Sequence, residues 1–163
     1  MNIKQRINAR KVILSYFYQH CFFCSLIKKD KELTDVLFVD YVFKTDKEKF
    51  TLAKDELITK LQEHDYLASE EECKAFVGKF FDDRTDEDVD YDYIIRIALA
   101  LPMYEKELIA EVNTYTVSFS YEEMDTIDQA IFLLGYIENK ILQTPKEVLL
   151  NEMIELAKRY SDE

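Results

Sequence analysis

Glycine and proline are scarce in this chain: two of each occur in 163 residues, against ordinary shares of about 7% and 5%. That scarcity removes the turns from which hairpins are built and the glycine-rich loops that cradle phosphates, so sandwiches, barrels and P-loop folds fit poorly. Tryptophan is absent, histidine occurs twice and cysteine three times. With two histidines and no glycine-flanked serine elbow, a hydrolytic triad lacks parts. An odd cysteine count without a disulfide framework suits a reducing compartment. No apolar run approaches the roughly 18 to 20 residues of a membrane span. The stretch 12–27 is interrupted by Ser15, Tyr16, Tyr18, Gln19, His20 and Ser25 and is followed by no small-residue cleavage site. The expectation is a soluble, cytoplasmic chain with no membrane association.

Acidic residues are missing from one region only. Residues 1–29 contain Lys4, Arg6, Arg10, Lys11, Lys28 and Lys29 and no Asp or Glu, whereas the remainder holds 15 basic and 33 acidic residues, or −18. The net charge of −12 is therefore a basic start of +6 joined to an acidic body. Such a body argues against general coating of nucleic acid. The basic start reads either as a segment docked on its own acidic protein or as an arm that meets an anion such as RNA. The length suits one compact domain or two small ones, and a chain of this size buries about 70% of its unfolded surface.

What is abundant is helical patterning. Residues 3–24 carry apolar or aromatic side chains on nearly every side of a helical wheel between 12 and 18, which places that helix centrally. Its first residues read as an arm, with helix beginning near Asn8. Residues 32–43 suit a short helix, although Val36, Phe38, Val39, Val42 and Phe43 also suit a strand. Phe50, Ala53, Leu57, Ile58 and Leu61 form an amphipathic stripe. Ser69 and Glu72 make a capping box ahead of Phe76, Val77, Phe80 and Phe81. The acidic run 82–92, with seven acids and one arginine, reads as a linker or solvated helix start. Beyond it Ile94, Ile97, Ala98, Leu101, Tyr104 and Leu108 continue a stripe, kinked or interrupted at Pro102. Ser120 and Glu123 read as a second capping box, opening a helix through Ile127, Ile131, Leu134, Ile137 and Ile141. Thr144, Pro145 and Glu147 supply N-cap, first-turn proline and N3 carboxylate for a last helix ending at Lys158 and Arg159. About seven helices result, in an N-terminal half (1–81) and a C-terminal half (93–163).

Chemistry-bearing clusters are few. His20, Cys21 and Cys24 invite a metal reading, but a structural zinc needs four ligands, and only His64 and Cys73 remain elsewhere. Thiols buried in an apolar helix are the better explanation, and no metal or other cofactor is expected. The acidic run lacks the glycine that an EF-hand requires at its sixth position: counting from Asp82 that place is Glu87, and from Asp86 it is Tyr91. Among 11 Tyr and 11 Phe, Tyr16 and Tyr18 lie near Arg10 and Lys11. Cations that track phosphate beside rings that stack on bases are the mixture single-stranded RNA sites use.

The C-terminal residues carry a family resemblance. Ile127, Asp128, AIFLLGYIENKIL (130–142) and TPKEVLLNEMIELAKRYSDE (144–163) resemble the transcription antitermination factor NusB. That family carries an "ID-x-x-I-L-R-L" helix start, a "V-P" turn and then "V-V-I-N-E-A-V-E-L-A-K-R-F". Pro145, Val148, Leu150, Asn151, Glu152, Glu155, Leu156, Ala157, Lys158, Arg159 and Tyr160 track the last motif. ARKVILSYFY (9–18) resembles the family's "A-R-x-x-A-L-Q-x-L-Y", with Arg10 and Tyr18 on its arginine and tyrosine. Departures are Leu133 for the motif arginine, Ser15 for the glutamine, Tyr115 in a region where relatives carry tryptophan, and a thinned basic cluster. Residues 30–110 show no residue-level match, and relatives continue into a last helix beyond the point where this chain stops.

The resemblance implies a single all-α domain, 1–163, built as a pair of packed helical bundles with the break at 82–92. It implies a non-catalytic factor that binds single-stranded box A-type RNA together with the ribosomal protein NusE, inside an RNA polymerase antitermination complex. On that reading the RNA-binding residues are Arg10 first, then Arg6, Lys4, Lys11 and Tyr18. Asn151 and Glu152 read as structural bonds between helices. The apolar surface left by the missing last helix would serve a partner or a second copy. The alternative is a divergent helical protein-interaction module that has lost RNA binding.

Overall fold

The computed structural model describes residues 3–29, 66–81 and 89–161. Among the described residues every regular element is helical: α1 (Ile3–Lys29), α2 (Glu70–Phe81), α3 (Tyr91–Tyr115), a 3-10 turn (Tyr121–Glu123), α4 (Thr126–Leu142) and α5 (Lys146–Tyr160). The helices expected at 32–43 and 50–61 lie outside the described residues, as does most of the acidic run. The all-α fold class is thus the observed one.

Helix α1, with 27 residues, is about 40 Å long at 1.5 Å per residue. It packs against both α3 and α4, and Ala9, Val12, Ile13, Leu14, Tyr16, Phe17 and Cys21 are buried. Each large apolar side chain so enclosed stabilises the fold by about 1.5–3 kcal/mol. The wrapping that its apolar wheel demands is therefore supplied by the C-terminal helices. The helix starts at Ile3 and includes the basic residues, so the expected arm with helix only from Asn8 is corrected: Lys4 and Arg6 belong to the first turns of α1.

Helix α2 begins at the expected capping box, with the return bond shifted by one residue to Ala68. The Ser69 hydroxyl accepts from the Glu72 amide at 3.2 Å, and the Glu72 carboxylate accepts in return from the Ala68 amide at 2.6 Å. Cys73 and Val77 are buried, and Phe76 meets Tyr16 of α1 edge-on at 5.7 Å. Asp90 caps α3 by accepting from the Tyr93 amide at 3.1 Å. α3 runs unbroken through Pro102, whose ring faces solvent. An internal proline costs about 3 kcal/mol, and burial of Ile94, Ile97, Ala98, Leu101 and Leu108 along the same helix offsets it.

The second expected capping box is overturned. Glu123 bonds through its amide to the Ser120 carbonyl at 3.1 Å, the Ser120 hydroxyl caps nothing, and α4 starts only at Thr126. Tyr121 explains the shift, because it is buried, its carbonyl accepts from Gln129 Nε2 at 2.8 Å, and its amide donates to Asn113 Oδ1 at 2.8 Å. Anchoring that ring outweighs a local cap. In α4, Ala130, Leu133, Leu134 and Ile137 are fully buried at the i, i+3, i+4, i+7 spacing of one helix face. Gln143, at φ 52° and ψ 35°, turns the chain in the left-handed region and bonds the Asn139 carbonyl at 3.0 Å. Pro145 takes the N-cap place and α5 starts at Lys146, one position later than the sequence signals suggest, a difference within ordinary helix-end variation. Ser161 Oγ donates to Asp128 Oδ1 at 2.8 Å, which ties the end of α5 to the start of α4.

Candidate nucleic-acid interface

The five residues singled out for RNA lie on one helix but on two of its faces. Arg6 and Arg10, four residues apart, point into the protein. Arg10 is 7% exposed; its Nε and Nη2 donate to Glu138 Oε1 of α4 at 3.0 and 2.9 Å, and its Nη1 lies 3.5 Å from Glu152 Oε2 of α5. Burial acts to lower the guanidinium pKa, but the Glu138 hydrogen bond and charge outweigh it and hold the group above its ordinary value. Arg10 is thus a fixed cation that clamps three helices. Arg6 pairs with Asp90 Oδ2 at 2.9 Å and sits over the Tyr93 ring, 4.7 Å from its centre. Asp90 thereby serves two groups, capping α3 with one oxygen and holding α1 with the other. Burial, then the nearby Glu138 carboxylate, push the Tyr93 hydroxyl well above its ordinary value.

Lys4, Lys11 and Tyr18 form the other face. They recur every seven residues, a spacing that returns to the same side of a helix within about 20°. Lys4 and Tyr18 are exposed and Lys11 is half-buried. Phe22, one turn beyond Tyr18, stacks on it with ring centres 6.1 Å apart and planes 12° from parallel. Lys11 and Tyr18 of this stripe border a groove of about 580 Å³, lined also by Phe22, Phe80, Asp125 and Tyr160 among others; Lys4 lies two helical turns before Lys11, outside that lining. Tyr18, Phe22, Phe80 and Tyr160 are each 40–46% exposed. Four ring edges or faces around an open groove beside a lysine can stack on unpaired bases while the ammonium meets phosphate. Asp125 opposes a phosphate and narrows where one can lie.

Sequence reasoning named Tyr18 and Lys11 but missed Phe22, Phe80 and Tyr160. The signal for Phe22 was its i+4 spacing from Tyr18; nothing in spacing announces that Phe80 at the end of α2 and Tyr160 at the end of α5 converge there. Glu152 makes the interhelical bond expected of it, whereas Asn151 is exposed. A second groove, about 590 Å³, runs between α3, α4 and α5 and is lined by Val112, Tyr115, Phe119, Phe132, Leu150 and Met153 among others. Of the two cysteines expected as buried thiols, Cys21 is buried and Cys24 only partly so; Cys73 is buried too. No described helix is long and apolar enough to cross a membrane.

Comparison with known proteins bears on these features. The family model described as "NusB family" matches residues 52–163. The transcription antitermination protein NusB of Clostridium tetani (strain Massachusetts / E88) is 28% identical over 141 residues, covering 83% of this chain and 87% of that protein. The namesake of Clostridium botulinum (strain Loch Maree / Type A3) is 35% identical over 77 residues, 47% of this chain and 55% of that one. That of Gloeothece citriformis (strain PCC 7424) is 32% identical over 72 residues, 44% of this chain. The chain thus spans about a third of the Gloeothece protein, at 34%, and just over half of the C. botulinum one. No solved structure matches. The likeness is not confined to 9–18 and 127–163: the matched family region reaches back to residue 52, into the stretch 30–110 that carries no residue-level motif. With that match spanning well over half of the sequence, the chain belongs to the NusB family.

Proposed function

We propose that the protein is a non-catalytic transcription antitermination factor that binds single-stranded box A-type RNA together with the ribosomal protein NusE. The observation that carries this reading is the outward stripe of α1, where Lys11 and Tyr18 border the ring-lined groove and Lys4 is exposed two turns earlier on the same side. In it, Lys4 and Lys11 meet phosphates, and Tyr18 with Phe22 stacks on bases. Arg6 and Arg10 act at second hand, by locking α1 so that the stripe is presented in one register. The acidic body, −18 outside the first 29 residues, repels RNA elsewhere and attracts a basic ribosomal protein. A factor of this kind works on nascent RNA beside RNA polymerase in the cytoplasm.

A second reading, a helical protein-interaction module without RNA binding, is favoured by one observation: both arginines of the basic start are engaged with carboxylates of the same chain. An RNA titration at two salt concentrations, with and without the ribosomal protein, decides between them. The first reading expects binding that strengthens with the partner and weakens with salt at a log-log slope of roughly 0.7 per phosphate contact. Absence of RNA affinity in both conditions, with a protein complex that survives ribonuclease, decides for the second.

A further inference from the structure

Towards its C-terminal end α1 carries His20, fully buried, and one turn later Cys24. The i, i+4 spacing puts both on one side of the helix, where they meet Glu105 from α3. His20 Nε2 lies 2.9 and 3.0 Å from the two Glu105 oxygens and 3.6 Å from Cys24 Sγ. One donor atom from each residue lies within 4.8 Å of the others. The Tyr66 hydroxyl donates to Glu105 Oε2 at 2.7 Å.

Nε2 carries at most one hydrogen, yet two carboxylate oxygens and a sulfur crowd around it. A divalent cation satisfies nitrogen, oxygen and sulfur together. Tetrahedral bonds of about 2.0–2.1 Å to nitrogen and oxygen and about 2.3 Å to thiolate set N···S edges of roughly 3.6 Å and N···O edges of roughly 3.3 Å. The 3.6 Å edge to sulfur matches, and the 2.9 Å edge to oxygen is a few tenths of an ångström shorter, which a small swing of the carboxylate makes up. Charge matches as well: a thiolate, a carboxylate and a neutral imidazole offset an ion of charge +2, which keeps the desolvation cost of burial low. A cavity of about 200 Å³, bordered by Cys24, Tyr66, Glu105, Lys106 and Glu122, adjoins the cluster and gives room for a fourth ligand such as water.

We propose that His20 Nε2, Cys24 Sγ and the Glu105 carboxylate form a binding site for a zinc-class cation, with Tyr66 orienting the carboxylate from outside the ligand set. Mixed nitrogen, sulfur and oxygen donors in tetrahedral array suit zinc best, and a hydrogen-bonded ligand carboxylate is the usual outer support. Cys21 borders the same cavity but lies outside the ligand set: its sulfur faces the Tyr121 hydroxyl at 3.7 Å. The sequence motif that reads as one cysteine pair is therefore two different residues, a core thiol and a ligand. The ion clamps α1 to α3 at the end of α1 remote from Lys4.

The test is metal titration of the full chain after chelator treatment, with cobalt(II) as the coloured probe and zinc as its competitor. One cobalt ion per chain is expected, with a thiolate-to-cobalt charge-transfer band that zinc abolishes. Cys24→Ser should remove the band and weaken zinc binding at least about 100-fold, and Tyr66→Phe, which keeps all three ligand atoms, should weaken it about 10- to 100-fold. Cys73→Ser should change neither. A wild-type chain without stoichiometric uptake, or a band that survives Cys24→Ser, overturns the site. If Cys24→Ser does not fold, Tyr66→Phe decides, and unaltered zinc affinity in that variant overturns it.

Discussion

The two faces of α1 carry the same kind of charge and put it to opposite uses. On the inner face, Arg6 and Arg10 meet Asp90, Glu138 and Glu152 at 2.9–3.5 Å and lie over the Tyr93 ring. On the outer face, Lys11 and Tyr18 border an open groove, with Lys4 exposed two turns before them. The choice of residue follows the environment. Guanidinium is weakly hydrated and stays charged when buried, so it suits an internal clamp; ammonium is strongly hydrated and suits the surface. Basic charge near a chain start is thus no measure of nucleic-acid contact until the face is known.

Substitutions can break this contrast, beginning with the largest effect. Arg10→Ala leaves Glu138, fully buried, without its cation. Stability should fall by about 3–5 kcal/mol, read by chemical denaturation, and a loss below about 1 kcal/mol would mean that the pair does not clamp the fold. Arg10→Met combined with Glu138→Leu should recover most of that loss, because an apolar pair of similar volume replaces a buried ion pair at little cost.

Tyr18→Ala should leave the melting temperature within a few degrees of wild type, since the ring is 40% exposed, and weaken RNA binding by about 1–3 kcal/mol. Unchanged affinity would remove Tyr18 from the interface. For Arg6→Ala the expected loss is about 1 kcal/mol of stability, from a partly exposed ion pair and a cation over a ring, measurable as a shifted denaturation midpoint. The smallest effect is that of Lys11→Ala, which should reduce the salt slope of RNA binding by roughly 0.7 with stability unaltered. A stability loss without a change in slope would place Lys11 with the arginines.

Legibility from sequence varied with the distance between the residues involved. The apolar wheel of α1 correctly demanded a central helix, and the Ser69–Glu72 box marked a real helix start, because both depend on residues within a few turns of each other. The Ser120–Glu123 box failed although its spacing was right, since Tyr121 is held by the core through Gln129 and Asn113. Pro102 does not interrupt α3, because burial on either side carries the helix through it. In the candidate interface, Lys11 and Tyr18 were visible because α1 alone sets their face. Phe80 and Tyr160 come from other helices and had no local signal.

The sequence by itself determined the helices, the family to which they belong and the acidic body with its basic start, because helical periodicity, caps and charge are properties of neighbouring residues. Tertiary structure alone decided which cations face inward. Arg10 and Glu138 are 128 positions apart, and His20 and Glu105 are 85 apart; only the packing of α1 on α3 and α4 brings each pair together. A buried charge is defined by its enclosure and its partner, and both are created when helices dock.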